Sequence, residues 1–113
     1  MKKQKKMPIC YTLRLVDNKW YVGTAVDFVD RINDHRHGRS CRWTAKYPMI
    51  EVDNQYYVAA ADRYSEENEQ YMRTARLHGP ENVRGGDVVC LQEPVPAWCM
   101  PQEFGGDRIV SWG

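Results

Sequence analysis

Residues 9–23 read Ile9-Cys10-Tyr11-Thr12-Leu13-Arg14-Leu15-Val16-Asp17-Asn18-Lys19-Trp20-Tyr21-Val22-Gly23. Two β-prone runs, Ile9 to Val16 and Trp20 to Gly23, flank the turn formers Asp17-Asn18-Lys19. A short polar break between two such runs predicts a β-hairpin. Downstream, Asp27 is placed to cap a helix running to about His37, with Phe28, Val29 and Ile32 as its apolar stripe and Gly38 as its stop. Arg31 and His35 are four apart on that helix and project from one face.

Arg39 to Tyr47 reads as a basic loop, and Ile50 to Ala60 as a third strand broken or bent near Asp53-Asn54. Asp62 or Ser65 then caps a second long helix from about Glu66 to His78, which Gly79 closes and Pro80 cannot continue. From Asn82 onward, Gly85-Gly86, Pro94, Pro96, Pro101 and Gly105-Gly106 predict turns with at most one short strand or helix, irregular from about residue 87. The order strand, strand, helix, strand, helix predicts an α+β fold: a small, mainly antiparallel three-stranded sheet flanked by helices.

At 113 residues the chain has room for one domain and no separate recognition domain is expected. Residues 1–8 form a basic arm, and residues 9–113 the domain itself. The arm resembles the start of a signal peptide, but no apolar segment follows it, and no apolar run approaches the roughly 20 residues needed to span a bilayer. A soluble, intracellular, non-secreted protein is expected. Cys10, Cys41, Cys90 and Cys99 show neither a Cys-x-x-Cys pair nor a zinc-like spacing, so they read as free thiols.

The net charge of +1 carries no nucleic-acid signal, but its distribution does. Arg31, Arg36, Arg39, Arg42 and Lys46 face the single acid Asp34 within one stretch, a candidate phosphate-facing patch. From Glu51 to Glu69 six acids face Arg63 alone, and a metal ligand can come from there. A solvated face is the competing reading of both blocks.

The segments Ile9-Cys10-Tyr11 and Tyr21-Val22-Gly23 stand nine residues apart, followed by Arg31, His35 and the helix-closing Gly38. This pattern resembles the GIY-YIG nuclease family. Cys41-Arg42-Trp43-Thr44-Ala45-Lys46-Tyr47-Pro48 is similar to the aromatic-Thr segment before the third strand in many members. Gly79-Pro80-Glu81-Asn82-Val83-Arg84-Gly85-Gly86 is similar to a closing motif in a branch that includes viral and phage-encoded members, for which the compartment would be host cytoplasm or nucleus. Ile9 stands where the family name has glycine, and the tail after Gly86 matches nothing in the pattern.

The resemblance implies a DNA endonuclease of low sequence specificity, using one Mg2+ or Mn2+ per site and a cluster of Tyr11, Tyr21, Arg31, His35 and Glu67. The family places a metal-binding glutamate on the second helix, where this chain offers Glu66, Glu67 and Glu69. Glu67 shares its stripe with Tyr71 and Ala75 and points toward the sheet, whereas Glu69 stands four before Arg73 in an exposed pairing pattern. Glu67 is therefore the expected ligand and Glu66 the alternative. Magnesium commonly takes only one or two protein carboxylates, so one glutamate suffices.

Arg31 suits a phosphate that gains charge in the transition state, because a guanidinium holds two oxygens and stays ionised. By the resemblance, Tyr11 or His35 orients or deprotonates the attacking water, Tyr21 lines the site and Asn82 ends the pocket. Gly23 is expected to let the backbone approach the helix carrying Arg31. Arg36, Arg39, Arg42 and Lys46 would bind substrate. A homodimer or a specificity partner is compatible with this reading, and a nuclease-fold module that binds nucleic acid without cutting is the competing function.

Overall fold

The computed structural model describes residues 6–109. The hairpin forms from β1 (Ile9–Leu15) and β2 (Lys19–Ala25), with Tyr11 opposite Gly23 and Leu13 opposite Tyr21. Its turn is Val16–Asn18 rather than Asp17 to Lys19, because Asp17 (φ 59°) and Asn18 (φ 56°) take the left-handed conformation while Lys19 is already strand. Asp and Asn tolerate that region better than other side chains.

α1 (Phe28–Arg36) follows, with Ile32 and His35 turned inward. The expected basic loop contains a short helix instead, α2 (Arg42–Lys46). Trp43 and Thr44 are buried there, and the N–H of Tyr47 donates to the Trp43 carbonyl. β3 (Met49–Tyr57) pairs antiparallel with β1 and ends three residues before the expected Ala60. Its register skips Asp53, so the expected break near Asp53-Asn54 is a bulge.

α3 (Arg63–His78) begins three residues earlier than the sequence pattern predicts. Asp62 precedes it without a side-chain capping bond, and the Ser65 hydroxyl donates to the Asp62 carbonyl within the first turn. After Gly79, β4 (Val83–Gly85) runs parallel to β2. The sheet therefore has four strands, order β3-β1-β2-β4, and is mixed, which corrects the expected three-stranded, mainly antiparallel one.

Helices cover both faces of the sheet. Alternation along β1 sends Tyr11, Leu13 and Leu15 to a core with Ile32 and Trp43 on the α1–α2 side. Cys10 joins Trp20, Val22, Tyr71, Met72 and Ala75 in the core beneath α3. The tail contributes only a short 3-10 turn, Gln102–Phe104, yet Val88, Val95, Cys99 and Met100 complete the α3-side core. Among the described residues no helix is long and apolar enough to cross a membrane.

Candidate active site

Tyr11, at the centre of β1, is 1% exposed, and its phenol reaches across to His35 on α1. Tyr11 Oη and His35 Nε2 are 2.9 Å apart, while His35 Nδ1 lies 2.9 Å from Thr44 Oγ1 on α2. The Thr44 hydroxyl donates to the Cys41 carbonyl. Thr44 Oγ1 is thereby left to accept from Nδ1–H, and Nε2 to accept the phenolic proton; this assigns the imidazole tautomer from the network. The Tyr21 ring closes the group, its centroid 5.1 Å from that of His35 and 6.3 Å from that of Tyr11.

Gly23 is needed by this packing. A Cβ there would lie 2.7 Å from Tyr11 Oη and 2.9 Å from the Tyr21 ring. The glycine thus makes room for the two phenols, in place of the expected approach to the helix carrying Arg31. Burial raises both phenols well above the ordinary tyrosine range, so they are protonated donors at neutral pH. The same burial, with the Arg31 charge, lowers His35 to about 4 and leaves it neutral.

The charged half of the site comes from α3. Burial raises the Glu67 carboxyl to about 7, opposed by the Arg63 charge and by the Thr24 hydroxyl and Gly86 N–H that lie against it. The nearby Asp87 pushes it the same way as burial. The charges of Glu67 and Arg31 both act on Tyr11 and Tyr21, in opposite senses. Glu66, by contrast, acts on Tyr56 and, together with Glu67, on Cys10. Gly86 (φ 54°) leaves no space for a side chain beside Asn68, whose amide holds Asp87.

Arg31 is exposed and forms no side-chain hydrogen bond or ion pair among the described residues. It lines a recess of about 320 Å³ together with Arg63, whose Nε donates to Thr24 Oγ1 (2.8 Å). Asp27, Asp30 and Asp34 line the same recess, and of its two guanidiniums Arg63 acts on Glu67. No family model, curated protein or solved structure matches the chain. Among the described residues no group of three or more His, Cys, Asp or Glu side chains is disposed around one point to hold a metal ion. A single half-buried carboxylate whose charge is under-compensated is nevertheless the donor set that a mostly hydrated magnesium ion accepts.

The cations expected to bind substrate fall into two groups. Arg36 and Arg42 are exposed and have no side-chain bond among the described residues. Arg39 is paired with Asp34 (3.2 Å), and Lys46 with Glu93 (2.6 Å). Asn82 lies elsewhere: its amide donates to the His78 carbonyl at the end of α3 and accepts from Lys19 Nζ. Lys19 begins β2, about 16 Å along the strand from Thr24 and hence from Glu67, so Asn82 ties α3 to the sheet and does not end the pocket. The sequence reading gave no role to Thr24, Thr44 or Arg63. Arg63 stands four residues before Glu67, a spacing that would have flagged it had the helix start been placed correctly.

Proposed function

We propose that this protein is a metal-dependent endonuclease of the GIY-YIG type that hydrolyses phosphodiester bonds in DNA, with little sequence specificity, inside the cell. The observation that carries the reading is the buried Tyr11 Oη to His35 Nε2 contact of 2.9 Å, flanked by opposite charges at Arg31 and Glu67. A neutral imidazole accepting from a phenol is a path for one proton. Water bound at Tyr11 would lose its proton to the phenolic oxygen as the phenolic proton moves to Nε2, while Thr44 fixes the ring through Nδ1.

Arg31 and Arg63 would bind the phosphate and stabilise the charge that develops on it. Glu67 would hold one Mg2+ or Mn2+, which supplies Lewis-acid stabilisation of the phosphoryl oxygens and leaving group. The fit rests on the carboxyl itself: burial makes its anionic form costly, and an adjacent cation removes that cost.

The test is nicking of supercoiled plasmid in magnesium, with and without chelator, by the wild type and Glu67→Ala. Nicking that needs both magnesium and Glu67 supports the reading. DNA binding without nicking by the wild type, under any divalent cation, would leave the non-cleaving module as the function.

A further inference from the structure

On another side of Tyr21 lies a cleft of about 350 Å³ that the proposed hydrolysis does not use. Its volume is in the range of pockets for small organic molecules, about 300–1,000 Å³. Trp43, Arg84, Val89 and Leu91 form its walls, and Arg42 shares its mouth with Tyr21. Val89 is 70% exposed. One exposed valine needs no explanation, but its neighbours change the reading.

Arg84 is 1% exposed and no carboxylate pairs with it among the described residues. Its guanidinium donates only to the carbonyls of Glu81, Val83, Cys90 and Gln92 and lies 4.1 Å from the Trp43 ring centroid. A guanidinium stays charged even when buried, and a buried charge without a counter-charge is unfavourable. Arg42 is also without an ion pair among the described residues. The cleft thus combines an apolar wall, the positive potential of a buried guanidinium that is already stacked on Trp43, an exposed un-neutralised cation at Arg42 and an edge shared with the candidate catalytic tyrosine.

The matching ligand is a flat, largely apolar body joined to an anion. A nucleotide whose base has left its stack has this chemistry, whereas a base within continuous duplex has both faces covered and cannot enter a recess. We propose that the cleft receives an unpaired nucleobase next to the scissile phosphate, so that the enzyme acts on DNA at unpaired or branched positions. This rests on the nuclease reading and adds its substrate class. Arg42 binds the flanking phosphate, and Val89 and Leu91 cover the base.

The test uses one DNA sequence as continuous duplex and as the same duplex with a bulged 2-aminopurine. Binding is read by fluorescence in chelator, and cleavage separately in magnesium. Wild type is expected to bind the bulged DNA at least about tenfold more tightly, with a change in 2-aminopurine emission. Val89→Asp, which sets a carboxylate beside both guanidiniums, should remove that preference and leave duplex cleavage within about twofold. Val89→Ala should retain most of it. Equal affinity for the two DNAs, or a preference that Val89→Asp leaves intact, would overturn the inference. Absence of cleavage from both DNAs would count against the nuclease reading alone, because the fluorescence in chelator decides the cleft independently.

Discussion

On the α1–α2 face of the sheet the polar groups are satisfied: Tyr11, His35, Thr44 and Cys41 form a closed run of hydrogen bonds. On α3, Glu67 is half-buried against Thr24 and Gly86, its charge reaching Tyr11 and Tyr21, with its ionisation opposed by burial and by Asp87. Under the proposed function the halves would divide the work: a satisfied network would hold a proton path in one geometry, and the carboxylate whose ionisation burial opposes would take the cation.

Removing the unsatisfied half should have the largest effect. Glu67→Gln is expected to lower magnesium-dependent cleavage by about a thousandfold or more, the order seen when a key electrostatic group is lost from an active site. DNA affinity should hold or tighten, since a negative charge near phosphate is removed. Single-turnover rates and binding isotherms check both. Glu66→Gln with the larger loss would move the site to the other face of α3.

A smaller effect is expected from loosening the satisfied half. Thr44→Val keeps shape but deletes the acceptor for His35 Nδ1–H, leaving a buried donor unpaired at a cost of about 1–3 kcal/mol. kcat should fall about tenfold with KM unchanged, and the imidazole nitrogen shifts should report a changed tautomer balance. Thr44→Ser should restore both.

Stability sets the same two halves apart without any metal. The folded-state pKa of Glu67 is raised from 4.5 to about 7. Below pH 4.5 the carboxyl is protonated whether the chain is folded or not, so it carries no penalty. Between pH 4.5 and 7 the unfolded chain ionises first, stability is lost as pH rises, and above 7 the loss is complete. Glu67→Gln should therefore be more stable than wild type by about 1–2 kcal/mol at pH 8 after allowing for solvent screening, and no more stable at pH 4. Denaturant melts in chelator measure this. A constant difference across pH would remove the strain assigned to Glu67.

The surface cations should differ least. Arg36→Gln and Arg42→Gln should each lower the salt dependence of DNA binding by roughly one unit of slope if each meets a phosphate. Arg39→Gln and Lys46→Gln should do less, because Asp34 and Glu93 already hold them. Equal slopes for all four would show that the ion pairs open on DNA.

The hairpin, both long helices and the bulge at Asp53 were legible because their signals are local: turn formers, a 3.6-residue stripe and a break in a strand. β4 was not, since Val83–Gly85 is three residues long and is defined by parallel pairing with the distant Trp20–Val22. α2 has too few residues for a period and is set by burial of Trp43 and Thr44. The tail's core residues, Val88, Val95, Cys99 and Met100, follow neither a helical nor a strand period, and apolar neighbours such as Val89 and Trp98 are exposed between them. In the site, the tyrosines, Arg31, His35 and Glu67 were suggested by motif spacing, whereas Thr24 gains its place from a sheet-to-helix contact no spacing encodes, and Arg63 was missed because α3 starts earlier than its pattern. Asn82 was misplaced for a similar reason: its motif position says nothing of the two partners that occupy its amide.

In the proposed mechanism Tyr11 and His35 act as one proton path beside a Glu67 that would hold the metal. The most direct measurement is a double-mutant cycle on single-turnover cleavage in saturating magnesium with Tyr11→Phe, His35→Ala and the pair. Each single variant should lose about a hundredfold or more in rate with DNA affinity nearly unchanged, and the double variant should be barely slower than either. Losses that multiply, or a Tyr11→Phe enzyme close to wild type, would contradict the account.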